Sequence, residues 1–246
     1  MKRLLLPLAM LTLPTQAAPL VNWHDFSVTG LYGEDFKLAP SDQQFTLTLE
    51  SAGDWRYGDW FLFQDFTHFH HSLGSERSNY GELTTRFSSA KIFDVKYDNN
   101  IVNDLSLALS LEEGKGDVES LLYGLGVDFN LPTADYFKVN FYRRQGLNSD
   151  NISDGWQLSP SFKFSWPLGD SQIVFDGYID WVVSYDEAIK EETFHFNPQL
   201  KYDLGAYLMG KKNKLMIGVE YSLWLNKYGV KGEDQNNFSF IVKYHM

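Results

Sequence analysis

From about residue 22 onward, apolar residues recur at every second position in blocks of ten to sixteen residues. Leu105, Leu107, Leu109 and Leu111 alternate with Ser106, Ala108, Ser110 and Glu112. Trp156, Leu158, Phe162, Phe164 and Trp166 alternate with Gln157, Ser159, Ser161, Lys163 and Ser165. Leu215, Ile217, Val219, Tyr221, Leu223 and Leu225 alternate with Met216, Gly218, Glu220, Ser222, Trp224 and Asn226. A period of two over such lengths marks β-strands with one apolar and one polar face. Twelve blocks of this kind cover 22–33, 43–53, 56–71, 79–90, 101–112, 118–130, 135–145, 154–166, 171–184, 193–205, 213–226 and 237–246.

The connections alternate in character over the second half of the chain. Leu131-Pro132-Thr133-Ala134 and Pro167-Leu168-Gly169-Asp170 are tight turns, whereas 146–153, 185–192 and 227–236 are longer polar loops. The segment 91–100 is longer than this scheme accommodates at a tight turn.

Two architectures suit long amphipathic strands. A soluble sandwich or lipocalin-like barrel turns its apolar face inward, and an outer-membrane barrel turns it toward lipid. The blocks exceed the usual globular strand of about five or six residues and match the ~9–11 that cross a bilayer at a tilt. Aromatics stand toward the ends of the apolar faces, as Trp156 and Trp166 or Phe194 and Tyr202 do, where interfacial girdles form. The last segment, Phe238-Ser-Phe240-Ile-Val242-Lys-Tyr244-His-Met246, carries an apolar residue at every second position to the terminus. It resembles the C-terminal strand of bacterial outer-membrane proteins, with Met where Phe is usual. The expectation is an all-β, antiparallel transmembrane barrel of about 12 strands. Lipid offers the backbone no hydrogen-bond partner, so such strands must close into a ring.

The N-terminus reads as a secretory signal over 1–17. Lys2 and Arg3 form the basic region, Leu4 to Leu13 the apolar core, and Thr15-Gln16-Ala17 the cleavage site. One domain, 18–246, follows. Removing the two basic residues takes the net charge of −11 to −11 − 2 = −13. Composition then becomes intelligible. Phe 19, Tyr 14 and Trp 7 make the chain strongly aromatic, yet its mean hydropathy is −0.31. That mean averages a lipid face with a polar face. Zero Cys excludes disulfide scaffolds, thiolate metal sites and Cys nucleophiles. The acidic balance argues against nucleic acid as a partner.

Placing the polar phase inside gives a lumen rich in both signs, with acids in the majority. The candidate solute-binding residues are Phe61, Phe63, Asp65, Glu82, Arg86, Asn140, Tyr142, Arg144, Asp176, Tyr178, Asp180, Asn197, Lys201 and Trp224. Asp25, Glu50, Asp128, Lys138, Lys163, His195, Gln199, Asp203, Glu220 and Lys243 share the phase. The third strand is the ambiguous one. Turning Asp65 inward carries Phe61 and Phe63 with it and leaves Gln64 toward lipid, since a lipid-facing carboxylate is unfavourable. Each charge could instead pair with a neighbour, Arg86 with Glu82 for example, and each ring could simply fill space.

No GxxxxGK[ST], GxGxxG, GxSxG or HExxH motif occurs. His68 and His70 share a strand face at ~6.6 Å and would need a third ligand to hold a metal. They read as rim histidines, and no metal or cofactor is expected. Ser72, Glu76 and these histidines leave a lipid-acting enzyme as the weakest reading, so the chain is expected not to be an enzyme.

Several stretches, taken together, resemble the Tsx/OmpK family of outer-membrane nucleoside-specific channels. They are Leu31-Tyr32-Gly33-Glu34-Asp35-Phe36, Trp55-Arg56-Tyr57-Gly58-Asp59, Phe61-Leu62-Phe63-Gln64-Asp65 and Tyr80-Gly81-Glu82. Gly116-Asp117-Val118-Glu119-Ser120, Val139-Asn140-Phe141-Tyr142-Arg143 and Phe175-Asp176-Gly177-Tyr178-Ile179-Asp180-Trp181 continue the series. His195-Phe196-Asn197-Pro198-Gln199-Leu200-Lys201-Tyr202-Asp203, Asn226-Lys227-Tyr228-Gly229 and Val242-Lys243-Tyr244-His245 complete it. The resemblance implies a narrow twelve-stranded barrel in the bacterial outer membrane, among lipid and lipopolysaccharide, passing nucleosides by passive diffusion without a cofactor. It also implies, as the alternative, a surface barrel that docks phages or colicins through its loops.

Overall fold

The structure is a computed structural model that describes residues 19–246 apart from 73, 75, 99–100, 117 and 149–152. The expected signal segment therefore lies outside the described residues, as does Asp117.

Twelve antiparallel strands close into one barrel, each pairing with its sequence neighbours and β1 with β12. They are β1 Val21–Gly33, β2 Gln44–Trp55, β3 Gly58–Phe69, β4 Arg77–Ser88, β5 Val102–Gly114 and β6 Val118–Phe129. β7 Ala134–Gly146, β8 Gly155–Leu168, β9 Ser171–Tyr185, β10 Thr193–Asp203, β11 Leu215–Leu225 and β12 Gln235–His245 follow. The period-two blocks locate all of them, with ends displaced by a few residues.

The differences at the ends have local causes. Residues 89–90, expected as strand, instead open the short helix α1, Ser89–Phe93, whose N-terminus is capped by the Ser88 hydroxyl accepting from Lys91 N. Asp104 holds the same turn by accepting from Ala90 N and Ser89 Oγ. This helix takes up part of the long 91–100 connection. Residues 204–205, also expected as strand, open helix α2, Leu204–Met209, capped by Asp203. Arg56-Tyr57, expected inside β3, instead form the turn between β2 and β3.

Alternation of strand direction places the start of β1 and the end of β12 at one mouth, together with α1, α2 and the turns at 56–57, 130–133 and 169–170. The loops 34–43, 186–192 and 226–234 lie at the opposite, outer mouth.

The outside of the barrel is apolar. Leu107 is 50% exposed, Leu125 68%, Phe238 63% and Phe240 54%, all on outward phases. Leu47, Phe66, Leu83, Leu111, Phe141, Leu200 and Val219 extend this exposed belt around the wall. A continuous apolar surface of this extent is stable only against lipid. Trp156 and Trp166, at opposite ends of the outward face of β8, stand where girdles belong. Gln64 is a polar residue on the lipid side, and it lies over Gly81, where an added Cβ would come within 2.5 Å of its Oε1.

Candidate solute pathway

Residues directly opposite in an antiparallel ladder point to the same face, so the registers define the interior. Thr29 pairs with Thr48, Thr48 with Asp65, Asp65 with Tyr80, and Glu82 with Glu112. The ring continues through Ala108–Gly124, Gly126–Asn140, Tyr142–Gln157, Lys163–Asp176, Tyr178–Asn197 and Gln199–Glu220. It closes through Glu220–Ser239 and Lys243–Thr29. All fourteen candidate residues lie on this inner face. The ambiguous strand is fixed by the Thr48 hydroxyl, which donates to Asp65 Oδ1 at 2.5 Å. Asp65, Phe61 and Phe63 therefore point inward.

The inner face is densely cross-linked. Arg86, 3% exposed, binds Asp128 and reaches Asp59 Oδ2 at 3.4 Å, and it donates to Ser106 Oγ at 3.1 Å. Lys138 Nζ meets Asp59 Oδ2 at 2.6 Å. Arg86 thus pairs with acids other than Glu82, the pairing the sequence left open against solute contact. The two sit four residues apart on one strand, ~13 Å at strand rise, whereas Asp59 is the direct cross-strand partner of Arg86. Glu82 instead accepts from the Tyr80 hydroxyl at 2.6 Å.

Further round the barrel, Arg144 grips both carboxylate oxygens of Glu112, at 2.8 and 2.6 Å, and donates to Gln157 Oε1. Asp180 accepts from Ser159 Oγ at 2.6 Å and Gln157 Nε2 at 2.9 Å. Lys201 pairs with Asp176 at 2.6 Å and Lys243 with Glu50 at 2.7 Å. Asp176 and Asp180 thus belong to separate networks and form no carboxylate pair. Asp203, expected in the lumen, is 0% exposed and accepts from Ala206 N and Asn213 N. It holds the β10–β11 hairpin together and does not line a passage.

Near the outer mouth the rings gather. His195 lies on Trp224, Tyr178 meets the imidazole edge-on at 5.3 Å, and Tyr228 meets Trp224 at 5.3 Å. Asn197 Nδ2 is 3.4 Å from His195 Nε2. Lys227 enters this cluster from the turn Lys227–Gly229, donating to Lys37 O at 2.8 Å and Gln235 Oε1 at 2.6 Å. Its ammonium also lies 5.5 Å from the Trp224 ring and 5.1 Å from the Tyr228 ring. No carboxylate compensates it, and burial lowers its pKa to about 8. Gln235 Oε1 accepts from Lys37 N as well, at 3.0 Å, so one side chain joins loop 34–43 to the turn after β11.

Sequence phase alone leaves several participants unnamed. Glu112 and Gln157 stand in the polar phase and were recoverable from it, as was Tyr136 beside Lys138. Lys227 and Gln235 had no periodic signal, because one sits in a loop and the other at a strand end. Leu122, Val174 and Ile241 are inward despite being apolar, at 2%, 1% and 0% exposure. They fill space among the polar groups. His68 and His70 point outward near the rim with ring centroids 5.3 Å apart. Among the described residues no cluster of three or more His, Asp or Glu could hold a metal ion.

No protein-family model and no curated protein sequence matches the chain. Solved structures do. The NanC porin superposes with a TM-score of 0.50 at 11% identity, over 89% of this chain and 98% of its own. The KdgM porin in complex with disordered oligogalacturonate gives 0.49 at 14% identity, over the same shares. The Acinetobacter baumannii outer membrane protein Omp33 gives 0.40 at 10% identity, over 91% of this chain and 98% of its own. What this chain shares with NanC is the fold, a closed antiparallel β-barrel.

Proposed function

We propose that the chain is a narrow outer-membrane channel through which small polar solutes diffuse passively, with nucleosides the solute class. The carrying observation is the division of the wall into an apolar outer belt and an inner face of charged and aromatic side chains. A nucleoside offers a flat base and hydroxyls, which suit the rings of Tyr178, His195 and Trp224 and the amide and carboxylate groups beside them. On the inner face Asp25, Glu50, Asp59, Asp65, Glu82, Glu112, Asp128, Asp176, Asp180 and Glu220 outnumber Arg86, Lys138, Arg144, Lys163, Lys201 and Lys243. This excess favours neutral or cationic solutes. It disfavours an anionic chain such as the oligogalacturonate bound by KdgM. No energy source is required.

Purified protein in a planar bilayer, with adenosine, thymidine and free bases compared, tests the reading. Channel block or permeation by nucleosides supports the solute class, and failure of all of them to permeate or block refutes it. The ion pairs that cross the interior favour a second reading, a barrel with little flow whose outer loops serve as a docking surface for phages or colicins. A silent wild-type channel would favour that reading.

A further inference from the structure

β3 and β7 are separated by three strands around the wall, yet Lys138 Nζ on β7 touches Asp59 Oδ2 on β3 at 2.6 Å. Two side chains can span that gap only where the interior between β3 and β7 is narrow. Gly126 on β6 shows how tightly that side of the interior is filled. An added Cβ there would stand 2.5 Å from Asn140 Oδ1 and 2.9 Å from Arg86 Nη2, so the missing side chain makes room for the guanidinium.

The surroundings of the pair differ sharply on its two sides. Behind it, on β5, β6 and β7, Ala108, Leu122 and Tyr142 form an apolar cluster at 0%, 2% and 3% exposure. Arg86 seals the same side with its bonds to Asp59 and Asp128. Along the barrel axis, Phe61 lies two residues from Asp59 toward the outer mouth and Tyr136 two residues from Lys138 toward the inner mouth, both on inner faces and 42% and 39% exposed. The side chains of Lys138 and Asp59 are each 26% exposed, as expected of groups at a boundary. The pair is therefore open to the lumen above and below, and backed by packed side chains on the β4–β6 side.

We propose that the Lys138–Asp59 pair is a transluminal strut. It partitions the barrel interior into a sealed compartment against β4–β6 and an open passage past Phe61 and Tyr136. The strut then sets the bore of the passage and, through its charge balance, the preference for ions. This rests on the channel reading above. It adds that selectivity resides at the inner-mouth half of the barrel, apart from the ring cluster near the outer mouth.

Single-channel recording in planar bilayers tests it, with conductance and reversal potential in a KCl gradient as readouts. Lys138→Met removes the strut and leaves Asp59 facing the passage, so conductance rises and the K⁺ over Cl⁻ preference increases about two-fold. Asp59→Asn also raises conductance but shifts the preference toward Cl⁻, because Lys138 and Arg86 remain. Lys138→Arg keeps the pair and restores the wild-type trace. Opposite selectivity shifts with conductance rising in both cases separate a strut from a purely electrostatic site. If the wild type conducts and both neutral variants match it in conductance and reversal potential, the strut is refuted while the channel stands. If the wild type and all variants are silent, both the channel and the strut fail. Heat-modifiable mobility on gels confirms that each variant is a folded barrel, and Asp59→Asn decides the matter if Lys138→Met does not fold.

Discussion

The His195 imidazole lies parallel to the Trp224 indole, with ring centroids 3.8 Å apart and planes inclined by 13°. An aromatic face inside the barrel is thus already occupied by a side chain of the protein. His195 is held there by Ser222 Oγ at 3.3 Å and by Asn197.

It follows that His195→Ala opens the face of Trp224. A base can then take the place of the imidazole, and stacking on an aromatic side chain contributes about 1–3 kcal/mol per base. Adenosine should block the variant at a concentration lower by about five-fold or more. An unchanged or raised blocking concentration would show that Trp224 does not face the solute.

Lys227 should make stability pH-dependent in an unusual window. Burial brings its pKa to about 8 in the folded barrel, while the unfolded chain holds the proton to about 10.4. Between these values the unfolded state binds more protons, so stability rises with pH, by up to about 3 kcal/mol if the full shift is expressed. Urea unfolding followed by tryptophan emission from pH 7 to 10 should show the rise in the wild type and its loss in Lys227→Met.

The phase of β6 can be tested from the lipid side. Leu125 lies midway along the strand and is 68% exposed on the outward face. Leu125→Arg should cost about 2–4 kcal/mol in lipid vesicles, the penalty for a cation near the bilayer midplane. A neutral result would mean that this face does not meet acyl chains.

Arg144 and Glu112 are 11% and 6% exposed as side chains and doubly hydrogen-bonded. Glu112 also stands opposite Glu82, so Arg144→Met leaves two buried carboxylates without their cation. A loss of about 3–5 kcal/mol is expected in equilibrium unfolding, with most of it regained in the Arg144→Met/Glu112→Leu double variant. Equal destabilisation of the single and double variants would contradict this.

How much of this was legible beforehand follows from what each feature depends on. Strand number and phase are local properties. Alternation such as Leu105 to Leu111 against Ser106 to Glu112 is enforced residue by residue, because one face meets lipid and the other does not. The orientation of Asp65 was readable for the same reason, since the alternative placed a carboxylate in acyl chains. Helices α1 and α2 escaped the pattern because they are set by single capping contacts, Ser88 to Lys91 N and Asp203 to Ala206 N. A period of two carries no trace of them.

The sequence by itself thus determined a closed twelve-stranded wall, which side of each strand faces inward, and the acidic, aromatic character of the interior. Only the tertiary structure decided who meets whom across that interior. Arg86 binds Asp59 and Asp128 in place of Glu82, Lys138 reaches a strand a third of the way round the ring, Asp203 becomes a cap, and Lys227 turns from its loop into the ring cluster. These partnerships depend on strand register and on how closely the strands approach across the interior. Both are properties of the whole ring, and no window of the sequence contains them.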